Sequence, residues 1–157
     1  TVQKEWDKMS QCSKELFLRF GLDELKKRNP QDLSGGEKQR LALCVALGKE
    51  ADYYFLDEPT KGLDAKSKKI FGELLKEWTK MEKSIVMVSH DMEFTAKYAD
   101  EISLLYQGEI VVQCPVREFM EENQFYTTGM NRVTRRVNPH IITIEDVKKY
   151  AKRKNSQ

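Results

Sequence analysis

Apolar residues recur along the chain in blocks whose period changes, and each change marks a predicted boundary. Over residues 1–28, Trp6, Met9, Leu16, Phe17 and Phe20 stand at helical spacing with charges between them, so one helical face is predicted to be buried. Gly21 breaks this run. A short second helix over about 23–28 should stop at Asn29-Pro30, because a residue before proline is pushed out of the helical region. Leu33, Ser34, Gly35 and Gly36 lead into a predicted helix over about 37–47, with Gly48 placed as a left-handed cap.

The stretch "YYFL" at 53–56 is short, aromatic and apolar, and Asp57-Glu58-Pro59 halts it. It predicts a buried strand that delivers two carboxylates at its C-terminal edge, where open α/β sheets bind ligands. A helix over about 65–81 follows, with Ile70, Phe71, Leu74, Leu75, Trp78 and Met81 on one side. "SIVMV" at 84–88 predicts a second strand, which ends at Ser89-His90-Asp91 with Asp91 able to cap the next helix. Alternating strand and helix imply parallel pairing with right-handed crossovers. "EISLLY" at 101–106 and "EIVVQ" at 109–113 flank Gln107-Gly108 and predict a hairpin at the edge of the sheet. Pro115 then opens a short helix through about Glu122, and past Asn123 the periodicity weakens.

Composition narrows this picture. A chain of 157 residues can bury one core of ordinary size, so a single domain is the default. With 27 basic against 25 acidic residues the chain is nearly neutral, which points away from a nucleic-acid binder. One local excess stands out: Arg132, Arg135, Arg136, Lys148, Lys149, Lys152, Arg153 and Lys154 face only Glu145 and Asp146. A solvated basic tail is the expected reading, with anionic lipid headgroups or another subunit as alternatives. No apolar run approaches the ~20 residues of a spanning helix, and no secretory signal pattern opens the chain, so a cytoplasmic side is expected. Cys12, Cys44 and Cys114 are odd in number and lack Cys-x-x-Cys spacing, which predicts reduced structural thiols. The start at Thr1, in the middle of a helical pattern, suggests a fragment.

Three stretches carry candidate chemistry. The amides of Gly35, Gly36 and Glu37 fall at a helix start, where unpaired N–H groups and the helix dipole favour an anion, and the Ser34 hydroxyl adds a donor. Asp57 at a strand end suits Mg²⁺ held through water, since that ion keeps several waters and takes few carboxylates. Glu58 points differently and can orient or deprotonate a water, while His90 can donate a hydrogen bond to a phosphate oxygen during transfer. Each alone has a structural reading, as a turn, a helix cap or a structural histidine.

Together, "LSGGEKQR" at 33, "YYFLDEPTKGLD" at 53 and "IVMVSHD" at 85 occur in the order and spacing of the ATP-binding cassette (ABC) ATPases, and the chain resembles that family from Thr1 to about Glu122. The resemblance implies an α/β fold: a partial P-loop NTPase domain of ABC type with a mainly parallel sheet, part of the helical signature subdomain, and a C-terminal hairpin and tail. It makes Ser34–Glu37 part of the signature, 53–58 the Walker B strand with catalytic Glu58, 62–64 the D-loop with Asp64 coupling two sites, and His90 the switch histidine. Glu37 stands where the commonest form has Gln. ATP and Mg²⁺ are the implied ligands, and the implied partners are a second ABC ATPase domain, as a dimer or fused in tandem, and a transmembrane subunit. The expected divisions are 1–48 for the helical remnant, 49–100 for Walker B to switch, 101–122 for hairpin and helix, and 123–157 for a basic extension.

A P-loop needs Gly-x-x-x-x-Gly-Lys followed by Ser or Thr, but Gly48-Lys49 is followed by Glu50 and has Leu43 where the first glycine should stand. No glutamine loop is identifiable upstream of the signature. The chain therefore looks like the second half of a nucleotide-binding domain, inactive alone, whose signature meets the γ-phosphate of ATP held by a partner's P-loop. "DEPTKGLD", "SHDMEFTAKYADEI" and "FYTTGMNRVTRRVNPHIITIEDV" are similar to importer ATPases of the energy-coupling factor type, which sit at the cytoplasmic face of the membrane and power uptake of vitamins or cobalt or nickel ions. Two other readings are a translation-associated ABC protein that binds the ribosome and a non-enzymatic fragment with vestigial motifs. Lys61-Gly62, where the translation group usually has Asn-His, weighs against the former. Two adjacent carboxylates at a strand end weigh against the latter.

Overall fold

In the computed structural model, residues 1–8, 11–49 and 51–154 are described, with the side chains of Lys8 and Cys12 excepted. The expectations placed on Met9 and on the Cys12 thiol therefore lie outside the described residues. Two compact units divide the chain, one running from Thr1 to Ser89 and the other from His90 to the C-terminus.

The first unit opens with helices α1 (Val2–Lys8) and α2 (Gln11–Arg19). Gly21, at φ 65°, ends α2 in a Schellman arrangement: Leu22 N donates to Phe17 O and Gly21 N to Leu18 O. Phe17 and Leu22 are buried beside Leu16 and Val2. The Trp6 ring stacks obliquely on Phe17 at 4.8 Å and carries the Lys26 ammonium 3.7 Å from its centroid. The second helix expected over 23–28 is only a 3₁₀ turn at Asp23–Leu25. Another 3₁₀ turn, Pro30–Asp32, is capped by the Asn29 side chain, because proline supplies a helical φ but holds Asn29 extended.

Helix α3 spans Gly35–Ala46 and buries Leu41, Leu43 and Cys44. Burial pushes the Cys44 thiol up to about 12, which agrees with an unreactive structural cysteine. Gly48 does not act as a left-handed cap, since it is absent from the positive-φ glycines. It is small because α2 leaves no room: a Cβ there would overlap Ser13 Oγ, the group that donates to Cys44 O at 2.7 Å.

Strands β1 (Tyr53–Asp57) and β2 (Ser84–Val88) pair in parallel, Tyr53 opposite Ser84 through Asp57 opposite Val88, and are joined through helix α4 (Ala65–Lys80). On α4, Phe71, Leu74, Leu75 and Trp78 are buried, and Trp78 packs on Tyr54 with ring centroids 4.5 Å apart. Met81, expected on this apolar side, is exposed because the helix ends one residue earlier. The expected buried strand is buried on one face only. Alternation turns Tyr53, Phe55, Val86 and Val88 to the other face, where Phe55 is 77% exposed.

The second unit holds α5 (Met92–Tyr98), strands β3 (Glu101–Tyr106) and β4 (Glu109–Pro115), and helices α6 (Val116–Glu122), α7 (Gly129–Thr134) and α8 (Ile144–Lys154). Gln107 and Gly108, both at positive φ, turn β3 into β4 as their dipeptide predicted, with a register shift between Leu104 and Leu105. The hairpin is expected as part of the one sheet; among the described residues β3 and β4 form a two-stranded antiparallel sheet of their own. The expected solvated tail is largely folded. Thr127, Thr128, Asn131, Ile141 and Ile142 are buried, and the Thr128 hydroxyl and Asn131 amide donate to the carbonyls of Ile142 and Pro139. Arg132 and Arg135 donate to backbone carbonyls of Phe125 and Glu121, while Lys148, Lys149, Lys152, Arg153 and Lys154 remain at least partly exposed on α8.

Gly48→Ala should lower stability by ~1–3 kcal/mol, the usual cost of overpacking, read as a shift in the urea midpoint. Ser13→Ala in that background should recover part of the loss, because it removes the nearest atom that the new methyl meets.

Candidate functional site

The start of α3 is held by reciprocal hydrogen bonds. Ser34 Oγ accepts from Glu37 N at 3.4 Å, and the Glu37 carboxylate accepts from Ser34 N at 2.7 Å, forming a capping box. The Ser34 N–H, and after it the Ser34 side chain, stabilise the Glu37 carboxylate and lower its pKa. Of the three amides expected to receive an anion, that of Glu37 already donates to Ser34 Oγ. Those of Gly35 and Gly36 are first-turn amides without intrahelical carbonyl partners. The pattern Ser-Gly-Gly-Glu carried the signal for this box in the sequence.

Asp57 is the last residue of β1 and is exposed. At Glu58 the backbone switches to φ 44°, a region that costs a residue with a side chain about 1 kcal/mol or more. Its N–H still donates to Val88 O at 2.9 Å, so the sheet ladder holds this turned residue, and its Oε1 is buried. A tight loop follows: Lys61 N donates to Glu58 O, Leu63 N to Thr60 O, and Gly62 adopts φ 75°. Asp64 closes the loop as N-cap of α4, accepting from Ser67 N at 2.7 Å. That bond comes first among the causes that lower its carboxyl's pKa.

This loop packs against the start of α3. A Cβ on Gly36 would lie 3.0 Å from Gly62 O, the Gln39 side chain donates to Pro59 O at 3.2 Å, and Arg40 Nη1 lies 3.7 Å from Asp64 Oδ2. The first unit thus brings Ser34, Gly35, Gly36, Glu37 and Asp64 onto one packed substructure that continues directly from Asp57 and Glu58. His90 follows β2 by two residues and opens the second unit, where its carbonyl accepts from Met92 N and Asp91 caps α5 through Phe94 N. Sequence reasoning missed Gln39 and Arg40 as structural partners of the loop. Nothing in their local pattern marks the long-range acceptors.

Residues 1–61 match the family model described as ABC transporter. A protein of Bacillus cereus described as an ABC transporter ATP-binding protein is 40% identical over 159 residues, covering 94% of this chain and 29% of its own length. The chain belongs to the ABC transporter ATPase family. The energy-coupling factor transporter ATP-binding protein EcfA2 of Staphylococcus saprophyticus is 31% identical over 121 residues, covering 76% of this chain and 42% of its own. A dimeric ATP-binding cassette bound to ADP and Pi in a post-hydrolysis state is similar in structure, with a TM-score of 0.59 and 28% identity over 66% of this chain and 45% of its own. So is the archaeal ribosome recycling factor aABCE1, solved in complex with the ribosomal stalk protein aP1. Its TM-score is 0.66 and its identity 25%, over 77% of this chain and 26% of its own.

Asp57 is a single exposed carboxylate, a donor compatible with Mg²⁺ because that ion leaves most positions to water and phosphate oxygens. Among the described residues no cluster of three His, Cys, Asp or Glu side chains forms a closed cage.

The capping box should show its charge in a pH titration. A carboxyl with a lowered pKa stabilises the fold above its unfolded value, near 4.3, and that contribution disappears as pH falls through the folded value. Protection of the Ser34 amide from hydrogen exchange should therefore drop at acid pH, and Glu37→Gln should flatten that drop.

Proposed function

We propose that the intact protein containing this chain is the ATP-binding and hydrolysing subunit of an ABC importer of the energy-coupling factor type. The chain spans about 29% of the Bacillus relative and contains no Gly-x-x-x-x-Gly-Lys-Ser/Thr sequence. In this reading it forms the C-terminal portion of an ATPase domain. The uncovered apolar face of β1 and β2 supports that, since parallel sheets are normally covered on both faces.

The observation that carries the reading is the contact of the signature turn with the loop that leaves the Asp57-Glu58 strand, made by Gly36 against Gly62 O. It joins a phosphate-binding helix start and a pair of carboxylates in one body. The amides of Gly35 and Gly36 and the Ser34 hydroxyl contact the γ-phosphate of ATP held by a second ABC ATPase domain, in a dimer or fused in tandem. Asp57 would hold Mg²⁺, which would supply neutralisation of phosphate charge. Glu58, turned out of the strand direction, orients the attacking water and takes its proton. His90 donates to the phosphate as charge develops, and Asp64 couples the two sites. Closure and reopening of the ATPase pair then drive a transmembrane subunit at the cytoplasmic face of the membrane. No described helix is long and apolar enough to cross a membrane itself.

The importer class draws on the likeness to EcfA2 and on "DEPTKGLD". A metal ion or a vitamin is the cargo. A second reading, a translation-associated ABC ATPase of the non-transporting type, draws on the similarity to the ribosome recycling factor. Co-purification of the intact protein with an integral membrane subunit supports the importer, and salt-resistant co-sedimentation with ribosomes supports the alternative.

Glu58→Gln in the intact protein should keep ATP binding and slow phosphate release by roughly 10²- to 10⁴-fold, trapping a closed dimer. Hydrolysis near the original rate would remove Glu58 from its role. The 157-residue chain alone should bind MgATP weakly and turn it over far below about 1 per second.

A further inference from the structure

Three residues on one face of α3, at positions 36, 39 and 40, meet the loop that follows β1. Gly36 sits against Gly62 O so closely that a Cβ would come within 3.0 Å. Gln39 donates its side-chain amide to Pro59 O at 3.2 Å, and this carbonyl belongs to the residue directly after Glu58. Arg40 reaches Ser67 Oγ at 3.4 Å and Asp64 Oδ2 at 3.7 Å, with its side chain only 18% exposed and its Nε buried. The spacing i, i+3, i+4 places all three side by side on the helix. Their partners run from Pro59 to Ser67, the full length of the loop and its cap.

We propose that Gln39 and Arg40 are positioning residues that fix the signature helix to the loop after β1. Phosphate engaged by Ser34 and Gly36 thereby sets where Glu58 stands on the same chain. The inference rests on the proposed ATPase reading and deepens it. In that reading the signature contacts ATP held by the partner, whereas Glu58 serves the site on its own domain, so the clamp links occupancy of one site to the chemistry of the other.

Three features make the link mechanical. Pro59 has no N–H and a restricted φ, so its carbonyl is a stiff handle on the Glu58 peptide. Glu58 is held at φ 44° by its bond to Val88 O, and a small rotation there moves its carboxylate. Gly36 lets the helix come close enough to Gly62 O that an added Cβ would lie 3.0 Å from it, and closely packed groups transmit a displacement better than loose ones.

The test uses the full-length protein with Gln39→Leu and Arg40→Met, both of similar volume to the native side chains. The kcat for phosphate release should fall by ~10- to 100-fold, as a misplaced catalytic group would give, with KM for ATP within about twofold. In a Glu58→Gln background both variants should still close into the ATP-bound dimer, because the signature itself is intact. Arg40→Lys, which keeps the charge opposite Asp64, should recover much of the rate lost in Arg40→Met, and Gln39→Leu carries the test if Arg40→Met does not fold. Retention of kcat within about twofold in both variants overturns the clamp. So does a fall in kcat matched by loss of ATP-driven closure, which would mark a damaged signature. Absence of turnover in the unmodified protein removes the ATPase reading and the clamp with it.

Discussion

The contact of Gly36 with the carbonyl of Gly62 is the constraint around which the first unit is organised. At 3.0 Å from a notional Cβ, it favours a glycine in the first turn of α3, since a side chain would push the carbonyl back, and it brings a helix start onto the loop leaving a strand. Gly62 can offer that carbonyl because it adopts φ 75°, and the loop reaches it because Glu58 has already left the strand direction. Neither glycine serves flexibility. One supplies close approach and the other a left-handed backbone, and together they set where the helix dipole and the two carboxylates stand along one continuous substructure.

Around that contact the polar groups are matched by local partners. Ser34 and Glu37 cap α3 reciprocally, and Asp64 caps α4 while facing Arg40. The caps matter beyond stability, since each fixes a residue that the proposed reaction uses. Glu37 also acts on the site itself, because its carboxylate lies at the same helix start that should receive a phosphate. Two negative groups at one dipole compete, so a Glu in place of the family's usual Gln should weaken the attraction for phosphate, while the Gly35 and Gly36 amides remain the donors.

The second unit is built on a different principle. Its residues past Asn123 carry little apolar periodicity, yet Ile142 joins the apolar core of Val116, Phe119 and Met120, and side-chain hydroxyls and an amide satisfy backbone carbonyls. Thr127 donates to Met120 O, Thr128 to Ile142 O and Asn131 to Pro139 O, all from buried positions. Ion pairs between Lys97 and Glu145 and between Arg117 and Asp146 hold α8 to α5 and α6. With the Lys97, Glu145 and Arg117 side chains well exposed, these contribute at most about 1 kcal/mol each. The hydrogen bonds to buried carbonyls stabilise the unit more, because leaving such groups unpaired is costly.

Local chemistry made several features legible from the sequence. Gly21 ends a helix, Gln107-Gly108 turns a hairpin, and Asp91 caps a helix, since each depends on residues within one turn of chain. The order of "LSGG", "LDEP" and "SHD" points to the family by itself. The exposed face of β1 was not legible, because an apolar run has the same composition whether one face is covered or two. The role of Gly48 depends on Ser13, far back along the chain, and the roles of Gln39 and Arg40 depend on a carbonyl and a carboxylate beyond β1. The folding of residues 127–142 rests on acceptors that exist only once α6 and the loop ahead of α8 have come together. The sequence by itself determined which segments could form elements and which residues could do phosphate chemistry. Only the tertiary structure decided which faces are buried and which side chains hold the start of α3 to the loop after β1, because those depend on contacts between residues far apart in the chain.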